Sequence, residues 1–348
     1  MDASLAPAAL RNSAGPSPAR PPASVRRTST IDTTWPDGRG GPMRMVGAAR
    51  DAVTPADGGP LQVCVLDGFR AVLQGDRTII EIESMPPRAA MGGLVGARGG
   101  GHLRKVLGEL LPSERDTASP LFLILDDIAG ASLVAGWAWS RWTSEWRTLP
   151  AAPGAPRPVG RRMEGICSGF RPGSSALAAD GSSSADQSFC DVGDLRRPDD
   201  PEGWHEFTVQ AGVGMRRARR IDVWVDDAIR IDSAFQDSAT NPQGGRTAVH
   251  EYRLTATADP VSLRLLSVEA DPRVLPYAEC PGAAPNVARL VGQPLASLRE
   301  AVLKTLPGTL GCTHLNDALR ALAEVPALVA RLADARRGDA TAAIGMAL

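Results

Sequence analysis

Along this chain, apolar residues recur first at every second position and then at helical spacing, and the same order runs twice. In the first pass Ile80 and Ile82 alternate with Glu81 and Glu83 beyond a Gly75-Asp76 turn, which predicts a half-buried strand. Val106, Leu107 and Leu110 then follow at helical spacing. In the second pass Tyr252, Leu254 and Ala256 alternate, Asp259-Pro260 turns the chain, and residues 263–270 return. Val287, Leu290 and Val291, then Leu315, Leu319 and Leu322, form helical stripes. Strands followed by helices predict an α+β fold, an antiparallel sheet with helices on one face.

The two passes also match residue by residue. Arg26, Arg27, Ile31 and Asp32 correspond to Arg216, Arg217, Ile221 and Asp222 at one constant separation. Met43-Arg44-Met45 corresponds to Ile229-Arg230-Ile231, and Asp51 and Thr54 correspond to Asp237 and Thr240. Leu94-Val95-Gly96 corresponds to Leu290-Val291-Gly292, Leu103-Arg104 to Leu298-Arg299, Leu111-Pro112 to Leu306-Pro307, and Leu125 and Asp127 to Leu315 and Asp317. The order predicts a diverged duplication. Two copies of a small sheet-and-helix domain would pack as an intramolecular pseudo-dimer, because one copy alone leaves a sheet face or edge to cover. The boundaries expected are a disordered Ala/Pro/Ser-rich tail over 1–25, a degenerate first repeat over 26–148, a linker and loop region over 149–203, a second repeat over 204–334 and a C-terminal tail over 335–348.

Composition narrows the classes. With 43% hydrophobic residues the chain can bury a core, but at 4% aromatic that core must be built from Ala, Val, Leu and Ile. A formal charge of -1 argues against a general nucleic-acid or membrane-surface binder. Five cysteines without regular spacing do not form a disulfide framework and point to a reducing cytoplasm. The first residues lack the apolar run of a signal peptide. The longest apolar stretch, residues 121–139, is broken by Asp126 and Asp127, so a membrane helix is not expected.

The chemistry concentrates near the end of the second pass. Cys280 precedes Pro281, a residue suited to the first helical position, and Cys312 and His314 precede the next helical stripe. A thiol at a helix start feels unpaired N–H groups and the positive dipole end, which favours the thiolate. If the fold joins the two helix starts, Cys280, Cys312 and His314 can ligate a metal, zinc by donor type, with a fourth position open. They can equally form a catalytic thiol–imidazole site, or serve only as buried structural residues. Registering the repeats puts Ser84, Phe122 and Ile124 where Cys280, Cys312 and His314 stand, so the first copy lacks the set.

Other candidates are weaker. Arg216, Arg217, Arg219 and Arg220 form a basic cluster that is either a solvated face or a clamp for phosphate or carboxylate, Arg219 and Arg220 being its cofactor-binding pair. Trp139, Trp142 and Trp146, with Trp137 nearby, read as an aromatic seam between the copies or the wall of an apolar pocket. His205 and His250 each adjoin a glutamate, but neighbours on a strand face opposite ways. Residues 163–177 read as a loop, whose Cys167 could add a ligand.

The segments C-P…N-V-A-R-L-V-G and G-C-T-H-L resemble the signature of a bacterial domain-of-unknown-function family, number 2889, over residues 216–325 and more loosely over the first copy. That resemblance implies Cys280, Cys312 and His314 as the functional positions, and a setting in acyl-CoA or aromatic-acid catabolism. A more distant, topological likeness is to iron–sulfur cluster assembly scaffolds, although the loop 237–247 here lacks the cysteine those proteins carry. The expected function is therefore a cytoplasmic enzyme acting on a small organic acid or acyl thioester through a zinc or thiolate site. The alternatives are a metal or iron–sulfur carrier, and a binding or scaffold protein with structural cysteines.

Overall fold

Strands β1 (Ser24–Thr34) and β6 (Gly214–Val225) pair antiparallel at the middle of one sheet. Outward from β1 lie β2 (Met43–Thr54), β3 (Gln62–Leu73) and β4 (Ile79–Met85); outward from β6 lie β7 (Ile229–Thr240) and β8 (Arg246–Ala258). The far edge of β8 is shared by β5 (Cys190–Val192) and β9 (Leu265–Val274), completing a nine-stranded antiparallel sheet. The computed structural model describes residues 12–144 and 162–346, with side chains to residue 337. The fold is α+β, as the patterning predicts. The expected linker at 149–160, Trp146, and the outer parts of both expected tails lie outside the described residues.

The register of β1 on β6 sets Arg26 opposite Asp222 and Asp32 opposite Arg216. Both become buried ion pairs, Arg26 Nε to Asp222 Oδ1 at 2.6 Å and Arg216 Nε to Asp32 Oδ1 at 2.7 Å. Strand alternation sends Arg27, Arg217 and Arg219 to the opposite face. There Arg27 pairs with Asp51 of β2, and Arg217 pairs with Asp237 of β7. Both acids stand at irregular register: Cys64 is the extra residue on β3 beside Asp51, and Val249 is the extra residue on β8 beside Asp237.

Helices pack on the face that carries Arg27 and Arg217. They are α1 (Gly101–Leu110), α2 (Pro112–Asp116), α3 (Pro120–Val134), α4 (Leu298–Thr305), α5 (Thr313–Arg320) and α6 (Val325–Met346). Helix α3 starts cleanly because the Ser119 hydroxyl accepts from Phe122 N at 3.1 Å and Pro120 needs no partner there. Pro120–Arg141 is long and apolar enough to cross a membrane by composition, yet it is mostly buried in the protein, with Asp126 and Asp127 in internal ion pairs. One apolar cluster gathers Phe69, Leu94, Leu107, Ile124 and Leu125; a second gathers Phe235, Tyr252, Leu290, Leu315 and Leu322.

Trp137 packs with Met215, Ala239 and Val249, and Trp142 Nε1 donates to Thr240 O at 2.9 Å. Trp139 meets Trp35, ring centroids 5.7 Å apart. The tryptophan segment thus runs from α3 onto β6, β7 and β8. The other sheet face is covered by residues near Trp204 and by residues 13–20. Trp204 Nε1 donates to Ser17 Oγ at 2.8 Å, Arg20 Nε pairs with Asp200 at 2.9 Å, and Ser13 Oγ donates to Glu251 at 2.7 Å. Residues 13–25, expected in a disordered tail, therefore lie on the sheet or in β1.

Candidate functional site

Asp237 stands on the helix-covered face of β7, opposite His250 of β8. His314 reaches the same spot from the first turn of α5. His250 Nδ1 lies 3.4 Å and His314 Nε2 lies 3.8 Å from Asp237 Oδ2. Among the described residues these three are the set of His, Cys, Asp and Glu whose ligand atoms all fall within 4.8 Å of one another. The two imidazoles are stacked, with ring centroids 3.4 Å apart and planes 19° apart. His250 Nδ1 is buried without a well-formed hydrogen bond among the described residues.

Charge fixes the protonation of this cluster. Burial alone would raise the pKa of Asp237, but Arg217 overrides it, with Nε 2.9 Å and Nη2 3.0 Å from the two carboxylate oxygens. The Asp237 carboxyl is held well below its usual range and stays ionised. Burial lowers both imidazoles, His314 further because His250 lies against it. They are neutral at pH 7, the state that ligates metal or accepts a proton.

The expected thiols occupy a neighbouring place. Cys280 opens the 3-10 helix Cys280–Leu290, and Cys312 is the cap residue of α5; both are buried. The loop around Cys167 ties their segments together: Ser168 N donates to Gly311 O at 2.8 Å, and Ser168 Oγ donates to Glu279 O at 3.1 Å. Gly169 leaves the room, since a Cβ there would sit 2.7 Å from Cys280 Sγ and 3.8 Å from Cys167 Sγ. The wholly buried Tyr252 hydroxyl faces these sulfurs, Cys312 first. Burial holds the thiols protonated, that of Cys167 up at about 11 with Cys312 adding to the effect. The two helix starts do converge, but His314 turns toward Asp237 and His250, while Cys280 and Cys312 meet Cys167 and Tyr252. Asp237 and His250 complete a cluster the sequence pattern did not assemble. The available signal was that His250 adjoins strand-patterned sequence and that Asp237 matches Asp51.

Arg219 and Arg220, expected as an anion clamp, are both buried and engaged. Arg219 Nη2 donates to Asp127 at 2.8 Å, and Arg220 pairs with Asp222 and Asp232. Consecutive positions on β6 send them to opposite sheet faces. His205 is satisfied by Thr28 at 2.8 Å and Thr30 at 2.9 Å, and burial lowers it to about 3. Glu251, next to His250, points to the far face and meets Gln236 at 3.0 Å.

Residues 215–328 match a family described as "Protein of unknown function (DUF2889)". The matched segment contains Asp237, His250, Cys280, Cys312 and His314. No curated protein and no solved structure matches the chain.

Proposed function

We propose that this is a metal-binding protein whose ion is held by Asp237, His250 and His314, zinc being the metal its donors favour. The carrying observation is the convergence of one carboxylate oxygen and two neutral imidazole nitrogens within 4.8 Å. A tetrahedral zinc shell spaces its N and O ligands by roughly 3.3 Å, against 3.4 and 3.8 Å from Asp237 Oδ2 to the two imidazole nitrogens. The stacked rings hold their lone pairs in nearly parallel planes rather than converging on one point, so His314, the more exposed of the two, must rotate to join the shell. Arg217 orients the carboxylate by donating to both of its oxygens, the imidazole-facing Oδ2 included, as supporting hydrogen bonds do in metal sites. A bound ion would supply Lewis acidity toward a carbonyl or a water. An enzyme acting on a small organic acid or acyl thioester in the cytoplasm is the function proposed for it; the five unpaired cysteines suit that compartment.

The test is metal content after purification without added metal, and zinc titration of the dialysed protein. About one equivalent, lost in His314→Gln and His250→Ala but kept in Cys280→Ser, supports the reading. Absence of zinc binding in the parent overturns it. Zinc lost instead from Cys280→Ser and Cys312→Ser would move the ion to the thiols, as the resemblance implies. Brown colour or labile iron would favour an iron–sulfur carrier, a reading supported by the gathering of Cys167, Cys280 and Cys312.

We also propose that the chain is a duplicated domain forming an intramolecular pseudo-dimer, repeats 26–148 and 204–334. The reciprocal pairs Arg26–Asp222 and Asp32–Arg216 support it, because a twofold relation across β1 and β6 would carry each pair onto the other. The like element order on both sides supports it as well.

A further inference from the structure

We propose that the groove between α1 and α4 binds a compact polyanion, a di- or tricarboxylate or a phosphate ester. The groove has a volume of about 460 Å³, within the size range of small-molecule sites. Arg104, Arg299 and Arg320 form its floor, Lys105 and Arg115 stand at its mouth, and Glu109 and Glu300 line it as well. The floor is crowded with positive charge. Arg299, Arg320 and Arg104 all crowd the one carboxylate of Asp126, at 3.1, 2.9 and 3.3 Å. The next acids are shared too: Asp317 serves Arg104 and Arg217, and Glu324 serves Arg27 and Arg299.

Burial lowers Arg299 to about 10, and Arg320 and Arg27 add to the effect against the pull of Asp126. Arg104 Nε, although near Asp126, has no well-formed hydrogen bond among the described residues. A second anion would relieve this crowding. At the mouth, Lys105 and Arg115 have only exposed partners, Glu109 at 3.9 Å and Asp116 at 2.9 Å. Such pairs are worth little and exchange readily for a ligand.

The groove continues into a second space of about 240 Å³ that shares Gly101, Arg104 and Leu303 and reaches Thr313 at the start of α5. A ligand anchored on the arginines can therefore extend toward the segment that carries His314. The anion site itself stands on the cations and does not need the metal reading.

The test is calorimetric titration of the full-length protein, at low ionic strength, with citrate and separately with pyrophosphate. Binding of one or both is expected, weakened about tenfold or more in Lys105→Glu/Arg115→Glu and by added salt. Whichever anion binds more tightly names the carboxylate or the phosphate class. His314→Gln should bind the same anion unchanged, which separates this site from the metal site. Both substituted positions are exposed, and an unchanged urea midpoint verifies that the variant folds. Binding of neither anion, or equal binding by the double variant, overturns the proposal.

Discussion

Gly130→Ala sets helix propensity against packing, and the structure gives the sign. Gly130 lies inside α3, where alanine is favoured over glycine by about 1 kcal/mol. A Cβ at Gly130 would sit 2.1 Å from Arg217 Nη1 and 2.5 Å from Asp317 Oδ2. Arg217 has nowhere to retreat: its side chain is 2% exposed and its Nε and Nη2 are bound to Asp237. The Arg217–Asp317 contact, 3.1 Å in the native protein, must open instead. Breaking a buried pair costs about 3–5 kcal/mol. Asp317 keeps Arg104 at 2.6 Å, which places the cost at the lower end. After the propensity gain the expected net loss is about 2 kcal/mol. Urea unfolding of parent and variant measures it directly. In an Arg217→Met background the same substitution should cost less than in the parent, since one of the two clashing groups is gone and Asp317 no longer has Arg217 to hold it there. A Gly130→Ala protein as stable as the parent would refute the reasoning.

Three further outcomes follow from the buried polar groups. His205 has a folded value of about 3 against roughly 6.5 unfolded, so the unfolded chain takes up the proton first. Its contribution is full above about pH 6.5 and falls by about 1.4 kcal/mol per unit on acidification, about 2 kcal/mol by pH 5; His205→Gln should flatten the stability–pH curve by that amount. With a thiol reagent at pH 7, exposed Cys64 should react in the native protein while Cys167, Cys280 and Cys312 stay silent until denaturant is added; prompt labelling of all five would contradict the protonated, buried state of the three. Arg216→Met should cost about 3–5 kcal/mol, because Asp32 loses its one ion-pair partner among the described residues, and Arg26→Met should cost less, because Asp222 keeps Arg220. Chemical denaturation ranks the two, and the reverse order would undo that account.

The alternation of strands and helices was legible in local pattern, because side-chain period follows from local backbone geometry. The Ile80/Ile82 strand, the Tyr252 strand and the helical stripe from Leu315 all stand where their spacing placed them. The sequence also marked Cys280, Cys312 and His314 as helix-start residues. What each of them meets depends on how the chain folds. Cys312 and His314 are two residues apart, yet one packs under Tyr252 with Cys280 and Cys167 and the other stacks on His250. That division depends on the irregular register at Asp237 and on the docking of the loop around Cys167, both long-range events. The fate of the arginines was equally out of reach of local pattern. Arg219 and Arg220 form a basic run in sequence, but the free-energy cost of burying a charge draws each to a carboxylate far along the chain or across the sheet. Periodicity is written in neighbouring residues; charge pairing and site assembly are settled only when distant strands and helices close on one another.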